Sequence, residues 1–153
     1  MTTSQQRRYR DAIGAFPTGV AVVTAAGPAG LTTNAVTSLS LDPVLLLVCF
    51  DNGSRTLPFV RDSGRFGVNV LRAGQEDLAR VFASKRVADA KFAAVTHELV
   101  DGVPVLEGVL AWFVCDLREL LPGGDHTIGI GEVRELGHDP DGDPLVFFRG
   151  KYR

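Results

Sequence analysis

The sequence predicts a mainly β fold, a closed or half-closed antiparallel barrel with two or three short helices. Six or seven β-branched, apolar segments alternate with turns rich in Gly, Pro, Asn and Asp. The helical segments do not alternate regularly with the strands, and no Gly-x-Gly-x-x-Gly motif follows a strand, which argues against a Rossmann domain. Apolar residues make up 45% of the 153 residues and charged residues 22%, so we expect one domain, residues 1–153, with a substantial core.

The chain opens with a short predicted helix that Thr3 or Ser4 can cap. We expect its apolar face to dock against the rest of the protein. That face is formed at helical spacing by Tyr9, Ile13 and Phe16. A Pro-Thr-Gly segment beginning at Pro17 then ends the helix. Residues 20–25 are rich in β-branched side chains and predict the first strand, which a Gly-Pro-Ala-Gly turn closes.

Residues 31–41 are unusual because hydroxyl and amide side chains crowd a segment between two apolar strands. These side chains belong to Thr32, Thr33, Asn34, Thr37, Ser38 and Ser40. They compete for backbone hydrogen bonds, so we expect an irregular, well-bonded backbone. Two interpretations stay open. The segment is either a polar edge strand or a rim whose main-chain N–H groups point at the heteroatoms of a ligand.

Residues 44–50 form a continuous apolar run, which predicts a strand buried on both faces. An Asp-Asn-Gly turn follows it. Ser54 can then cap a short helix over residues 55–61, with Leu57 and Val60 pointing inward. The N-terminus of this helix could receive an anionic phosphate, although a simply capped helix is the commoner arrangement.

The second half of the chain predicts one more helix and four more strands. Residues 66–71 form a strand, and acidic residues then begin a helix. The inner face of that helix is formed by Leu78, Val81 and Phe82. We expect residues 86–108 to form a loop anchored by Phe92 and Val95. The remaining strands are predicted at residues 111–120 and 127–136, which pair with each other, and at residues 145–148, the last strand.

The stretch at residues 123–133 reads Gly-Gly-Asp-His-Thr-Ile-Gly-Ile-Gly-Glu-Val. Its alternation predicts a strand with one apolar face and one face stripped of side chains. A glycine face beside His126 would leave room for a flat ligand, with one titratable group at its edge. The alternative is a hairpin turn that feeds a core strand, with His126 as its first exposed residue.

The overall composition narrows the possible partners. A formal net charge of −2 argues against a nucleic-acid partner. No apolar run approaches the length of a transmembrane helix, and the polar segment at residues 1–11 has no apolar signal core, so we expect a cytoplasmic protein without a membrane partner. Cys49 and Cys115 lie in apolar β-like runs without a CxxC neighbour, which predicts buried free thiols.

The sequence gives little support for a metal site or for a catalytic nucleophile. His97, His126 and His138 lack the spacing of metal ligands, so no metal site is predicted. Residues 139–143 resemble the start of a calcium loop, but Gly150 stands where the glutamate ligand would fall, which favours a tight turn. No Gly-x-Ser-x-Gly elbow is present to expose a catalytic serine.

Several segments together resemble the flavin reductase-like domain family. The matching segments are residues 16–20 and 22–24, the set Gly30, Thr32, Ser38, Ser40, Leu41 and Pro43, residues 65–71, residues 124–133, and residues 145–152. The resemblance spans about residues 10 to 152. Because several motifs follow one another in the family's order, it is specific where any one motif would be weak.

The resemblance implies a split antiparallel β-barrel that dimerises and holds FMN or FAD near the subunit interface. Typical members use NADH or NADPH to reduce a flavin, which diffuses to a separate flavin-dependent monooxygenase. We therefore expect a homodimeric NAD(P)H:flavin oxidoreductase. Hydride transfer from nicotinamide to flavin is intrinsic to the two cofactors, so the protein supplies stacking, orientation and electrostatics.

The family positions also imply roles for individual residues. His126 would be the catalytic residue, lying at the nicotinamide face and positioning NAD(P)H without acting as an obligatory acid. Nearby would lie Arg149 and Tyr152. The isoalloxazine and ribityl groups would be bound by the segment Thr32, Thr33, Asn34, Ala35, Val36 and Ser38. The phosphate or adenosine half would lie near Asp51, Asn52, Ser54 and Thr56. The side chains that would close over the phosphates are Ser84 and Lys85.

Two alternatives remain open from the sequence. A protein that resembles pyridoxamine-phosphate oxidases would hold FMN tightly on a similar barrel and act on another substrate. A non-catalytic flavin-binding dimer would share the fold without the reaction.

Overall fold

The computed structural model describes residues 2–153, which contain four short helices and twelve strands. The helices are α1 (Ser4–Ile13), α2 (Leu57–Ser63), α3 (Glu76–Ala83) and α4 (Ala88–Phe92). The strands are β1 (Thr18–Gly19), β2 (Ala21–Ala25), β3 (Ala29–Thr33), β4 (Val36–Leu41), β5 (Val44–Asp51), β6 (Arg65–Val70), β7 (His97–Val100), β8 (Val103–Leu106), β9 (Ala111–Gly123), β10 (His126–His138), β11 (Val146–Phe148) and β12 (Lys151–Tyr152). Within this range, none of the helices has the length and hydropathy needed to span a bilayer.

The main structural element is a seven-stranded antiparallel sheet in the order β3-β2-β6-β9-β10-β5-β4. A three-stranded sheet, β1-β11-β12, and the hairpin β7–β8 accompany it. The predicted mainly β, antiparallel fold is therefore confirmed. The long hairpin of β9 and β10 lies in the middle of the large sheet, and the predicted pairing of these two strands is confirmed.

The large sheet must curl, because its two edge strands are neighbours in the chain. Only Asn34 and Ala35 separate β3 from β4, a gap of three peptide steps that reaches at most about 11 Å. A flat sheet would place these strands about 29 Å apart, six spacings of about 4.8 Å. β3 and β4 are not hydrogen-bonded to each other, so the curled sheet stays open at this edge.

Apolar side chains fill both faces of the sheet. On one face Phe50 and Phe66 meet edge to face with ring centroids 6.0 Å apart, and α2 adds Leu57 and Val60 to the same buried cluster. On the other face α3 and α4 pack on the sheet through a second edge-to-face aromatic pair, 5.0 Å apart. That pair is Phe82 and Phe92. The two faces together hold the edges of the sheet in place.

The glycines of β10 face the core, so the open ligand face expected beside His126 is wrong. A Cβ added at Gly129 would lie 2.8 Å from the Phe50 ring, and one at Gly131 would lie 2.5 Å from the Phe66 ring. The missing side chains make room for two core phenylalanines rather than for a ligand. The alternative, a hairpin turn feeding a core strand, describes this segment.

Helix α1 begins where the sequence predicts, since Thr3 is its N-cap in a capping box with Gln6. Its predicted docking face, however, is not buried within this chain. Tyr9, Ile13 and Phe16 are 65%, 50% and 69% exposed. The helix also ends earlier than expected, at Ile13, where Gly14 is the C-cap.

Strand β5 is buried on one face only, which corrects the expectation of burial on both. Leu46, Val48 and Phe50 are buried, and the residues between them are half-buried. β5 lies next to the edge strand β4, so one of its faces stays partly open. Of the two interpretations of residues 31–41, the polar edge strand fits the observed structure, because β3 and β4 are both edge strands and β4 carries a bulge at Ser38/Ser40.

Residues 86–108 are not the predicted loop. They contain α4 and the β7–β8 hairpin, although Phe92 is a buried anchor as expected. The helix predicted at residues 55–61 begins at Leu57, and the Ser54 hydroxyl accepts hydrogen bonds from the N–H groups of Thr56 and Leu57. Strand β11 is followed by one more short strand, β12, so it is not the last.

Candidate functional site

Three adjoining clefts lie around the corner at which the two edges of the curled sheet meet. The hydroxyl cleft, about 300 Å³, is lined by Leu31, Thr32, Thr33, Cys49, Asp51, Ser54, Phe82, Ala83, Ser84, Lys91 and His126. The apolar cleft, about 550 Å³, is lined by residues 16–21, 33–37, Leu47, Cys49 and Val70. The aromatic cleft, about 150 Å³, is lined by Val20, Thr32, Thr33, Asn34, Ala83, Phe147 and Tyr152. Thr33 lines all three, so the clefts adjoin at this residue, and the three together are called the groove.

Most of the residues that the sequence predicted for the site come together in this groove. They are Thr32, Thr33, Asn34, Ala35, Val36, Asp51, Ser54, Ser84, His126 and Tyr152. They arrive from β3, the β3–β4 corner, β5, the start of α2, the end of α3, β10 and β12. The curling of the sheet brings these distant segments together.

Five predicted site residues lie outside the three clefts. Ser38 is exposed on β4, and Lys85 is exposed after α3. Thr56 is only 3% exposed, beneath the start of α2. Asn52 accepts a 2.6 Å hydrogen bond from the Thr127 hydroxyl and so ties the turn after β5 to the start of β10. Arg149 lies in a separate cleft beside α1 with its guanidinium over the Phe148 ring.

Two of the four side-chain hydroxyls that line the hydroxyl cleft already donate their protons within the protein. The Thr32 hydroxyl donates to the carbonyl of Ala79 at 2.6 Å, and the Ser84 hydroxyl donates to the carbonyl of Val81 at 2.6 Å. The Ser54 hydroxyl instead accepts two N–H groups from α2, which leaves its own proton for a ligand.

The backbone at the corner of the groove is also internally bonded. The Ala35 N–H donates to the Thr33 hydroxyl at 3.0 Å, and the Ala35 carbonyl accepts from the Cys49 N–H at 3.0 Å. The hypothesis of a rim of N–H groups aimed at a ligand therefore does not hold for Ala35. These bonds fix the shape of the corner and so fix the positions of Asn34 and Val36.

His126 lines the hydroxyl cleft, and one of its ring nitrogens is engaged within the protein. It opens β10 directly after a two-residue turn in which Gly124 has φ +66°, a conformation that favours glycine. The Nδ1 atom lies 2.7 Å from Oδ1 of Asp125, and this hydrogen bond lowers the pKa of the Asp125 carboxyl. The Nε2 atom is left for a ligand, and the imidazole is 40% exposed.

The structure also brings in residues that the sequence did not suggest. Lys91, on α4, lines the hydroxyl cleft, and it was hidden because residues 86–108 were expected to be a loop. Burial, and then the nearby Arg55, lower the pKa of Lys91. Cys49 is half-buried in the groove rather than fully buried, whereas the Cys115 thiol is buried, and this burial raises its pKa to about 12.

The sequence model of the flavin reductase like domain matches residues 13–153. The chain belongs to this flavin reductase family. A relative from Rhizobium meliloti is 47% identical over 132 residues, which cover 83% of this chain and 42% of that longer protein. The flavin-dependent monooxygenase reductase subunit HsaB of Mycobacterium tuberculosis is 37% identical over 152 residues, 95% of this chain and 80% of the relative.

The fold agrees with a solved member of the family. The Streptomyces globisporus NADH:FAD oxidoreductase, solved in complex with NAD and FAD fragments, superimposes with a TM-score of 0.92 at 37% identity. The match covers 100% of this chain and 94% of that one. This likeness extends over the whole curled sheet and the helices that flank it.

The groove of this flavin reductase has features that fit a flavin nucleotide. Its largest cleft has a predominantly apolar lining that includes Val36, Leu47 and Val70, which suits a flat heteroaromatic ring. In the same cleft the Thr18 hydroxyl is buried without a hydrogen-bond partner among residues 2–153. Buried hydroxyls are nearly always paired, so this one is consistent with a site that a bound group completes.

Proposed function

We propose that this protein reduces FMN or FAD with NADH and supplies the reduced flavin to a separate flavin-dependent monooxygenase. One observation carries the proposal. Ten residues that the family resemblance assigns to the cofactor site, from five separate parts of the chain, line three adjoining clefts at the open corner of the sheet. The NADH-dependent and monooxygenase-linked family members described above support the choice of nucleotide and partner.

Each part of the groove has a task in this proposal. A bound flavin supplies the hydride-accepting chemistry. The apolar cleft holds its ring and excludes water, and the corner at Asn34–Val36 orients it. His126 uses its free nitrogen to place the nicotinamide. Tyr152 lines the aromatic cleft, which shares Thr33 with the cleft that His126 lines.

The same proposal includes a one-domain split barrel that forms a homodimer in the cytoplasm. Large apolar side chains remain exposed, including Phe16, which lines the apolar cleft. Leu41 is 87% exposed at the end of β4 that lies away from the corner, and Leu39 and Val44 are also exposed on β4 and β5. A second subunit that covers Phe16 would also complete the wall of the apolar cleft.

The proposal is tested by mixing the purified protein with NADH and following absorbance at the nicotinamide band. We expect NADH oxidation only when FMN or FAD is added. An absence of NADH consumption with either flavin would contradict the proposed function.

A further inference from the structure

We propose that Lys91 is the cation that binds the phosphate of the flavin nucleotide in the hydroxyl cleft. The inference rests on the proposed function, since it concerns how that same groove holds its flavin. The phosphate contact then comes from Lys91 on α4 and not from Lys85, which lies outside the three clefts.

The ammonium group of Lys91 is held in place by the protein. It donates to the carbonyls of Gly30 and Phe82, each at 3.1 Å, so two of its three protons are used and one is left. Phe92, the next residue, is buried against Phe82 and fixes the helix that carries the lysine. The charge is therefore positioned at the wall of the cleft before a ligand arrives.

No carboxylate neutralises this charge. Among residues 2–153, neither Lys91 nor Arg55 forms a salt bridge, and Arg55 is near enough to lower the pKa of Lys91. Asp51 is the one carboxylate that lines the cleft, and its Oδ1 accepts from the Gly53 N–H. Lys91 in the wall of the cleft and Arg55 close to it thus outnumber the one carboxylate, and this excess of positive charge favours an anionic ligand.

The uncharged donors of the cleft cannot take the place of Lys91. The protons of Thr32 and Ser84 are committed to carbonyls, so Thr33, Ser54, His126 and Lys91 are the side chains left to donate. Of these, Lys91 alone is an ammonium, and a charge-assisted bond to phosphate is about twice as strong as a neutral one.

The test compares the binding of riboflavin, FMN and FAD without NADH, so it does not depend on turnover. We expect Lys91→Met to weaken FMN and FAD binding about 10- to 100-fold, as the loss of one charge-assisted bond predicts, and to leave riboflavin binding unchanged. Arg61→Met, which removes one exposed charge on α2 away from the clefts, should bind all three flavins as the wild type does. Lys85→Met should have little effect.

Three results would overturn the assignment. An equal loss for riboflavin and FMN would make Lys91 a structural residue, and a loss in Lys85→Met alone would move the contact to Lys85. Unchanged FMN binding in Lys91→Met would rule out the contact between Lys91 and the phosphate. The proposed flavin reduction would not be affected by that result. If Lys91→Met does not fold, Lys91→Gln and the salt dependence of the wild type replace it. FMN affinity should fall with salt and riboflavin affinity should not.

Discussion

His126 shows at the scale of one residue how the site is organised. Its Nδ1 atom is held 2.7 Å from the Asp125 carboxylate, which fixes the ring and leaves Nε2 without a hydrogen-bond partner among residues 2–153. The turn that precedes it, with Gly124 at φ +66°, sets its position in the wall of the hydroxyl cleft. A positioning role for the nicotinamide follows from this geometry, because the ring is fixed while its second nitrogen remains available.

We predict that His126→Ala raises the KM for NADH or lowers kcat while flavin affinity stays nearly unchanged. A lost hydrogen bond of about 0.5–3 kcal/mol corresponds to a roughly 2- to 150-fold fall in kcat/KM. Steady-state kinetics and a melting curve check it, with His138→Ala, an exposed histidine at the end of the same strand, as the control. Unchanged kinetics in a less stable protein would make His126 a structural residue.

The glycines of β10 provide a second prediction at the residue scale. Gly129→Ala should destabilise the protein by about 1–3 kcal/mol, because its Cβ would lie 2.8 Å from the Phe50 ring in a packed core. Chemical denaturation measures the loss. Gly19→Ala is the control, since nothing lies within 4 Å of its Cβ. An unaltered unfolding midpoint in Gly129→Ala would mean that the face is open after all.

Ion pairs link the central strands at the scale of the elements. Asp116 on β9 accepts from Arg65 on β6 at 3.2 Å and from Arg134 on β10 at 2.8 Å. The hydrogen bond from Arg134, and then the charge of that residue and the bond from Arg65, lower the pKa of the Asp116 carboxyl. These contacts join three neighbouring strands of the curled sheet across its surface.

Asp116→Asn should lower the free energy of unfolding by about 1 kcal/mol at neutral pH, because partly exposed ion pairs contribute little each. The carboxyl has a native pKa below its ordinary value of 3.8, so its contribution is complete above that value and is lost as pH falls through the native pKa. Urea unfolding at several pH values checks this, with Glu119→Gln on the same strand as the charge-matched control. A wild-type–mutant difference that persists unchanged at pH 2 would contradict it.

The elements differ in how far the sequence could predict them. The β9–β10 hairpin was predictable because its alternation and Gly-Gly-Asp turn are local signals. The role of the glycines in β10 was not predictable, because it depends on Phe50 and Phe66, which come from other strands. α4 was missed because five residues carry too little periodicity, and Lys91 was missed with it.

At the scale of the whole molecule, the groove exists because the sheet curls until its two edges nearly meet. The sequence motifs could place residues 32–36 and His126 in one site only through the family resemblance, since they are about 90 residues apart. No local pattern predicts which edges of a sheet come together. The large apolar side chains that this chain leaves exposed are then candidates for an interface with a second subunit.

We predict a homodimer whose interface includes the exposed apolar edge at Leu41 and Val44. Light scattering at micromolar concentration should give twice the mass of the chain, and Leu41→Glu should shift it toward monomer. If the second subunit completes the flavin site, dilution should weaken flavin binding. A wild-type protein that is monomeric at these concentrations would contradict the interface.

The most direct test of the proposed function is an anaerobic titration of FMN or FAD, in excess over the protein, with NADH. A flavin reductase whose flavin is a substrate predicts that the purified protein is colourless and bleaches many equivalents of added flavin, one flavin per NADH consumed. A protein that retains yellow colour through purification and reduces only its own bound flavin, or one that leaves added flavin oxidised, would contradict it.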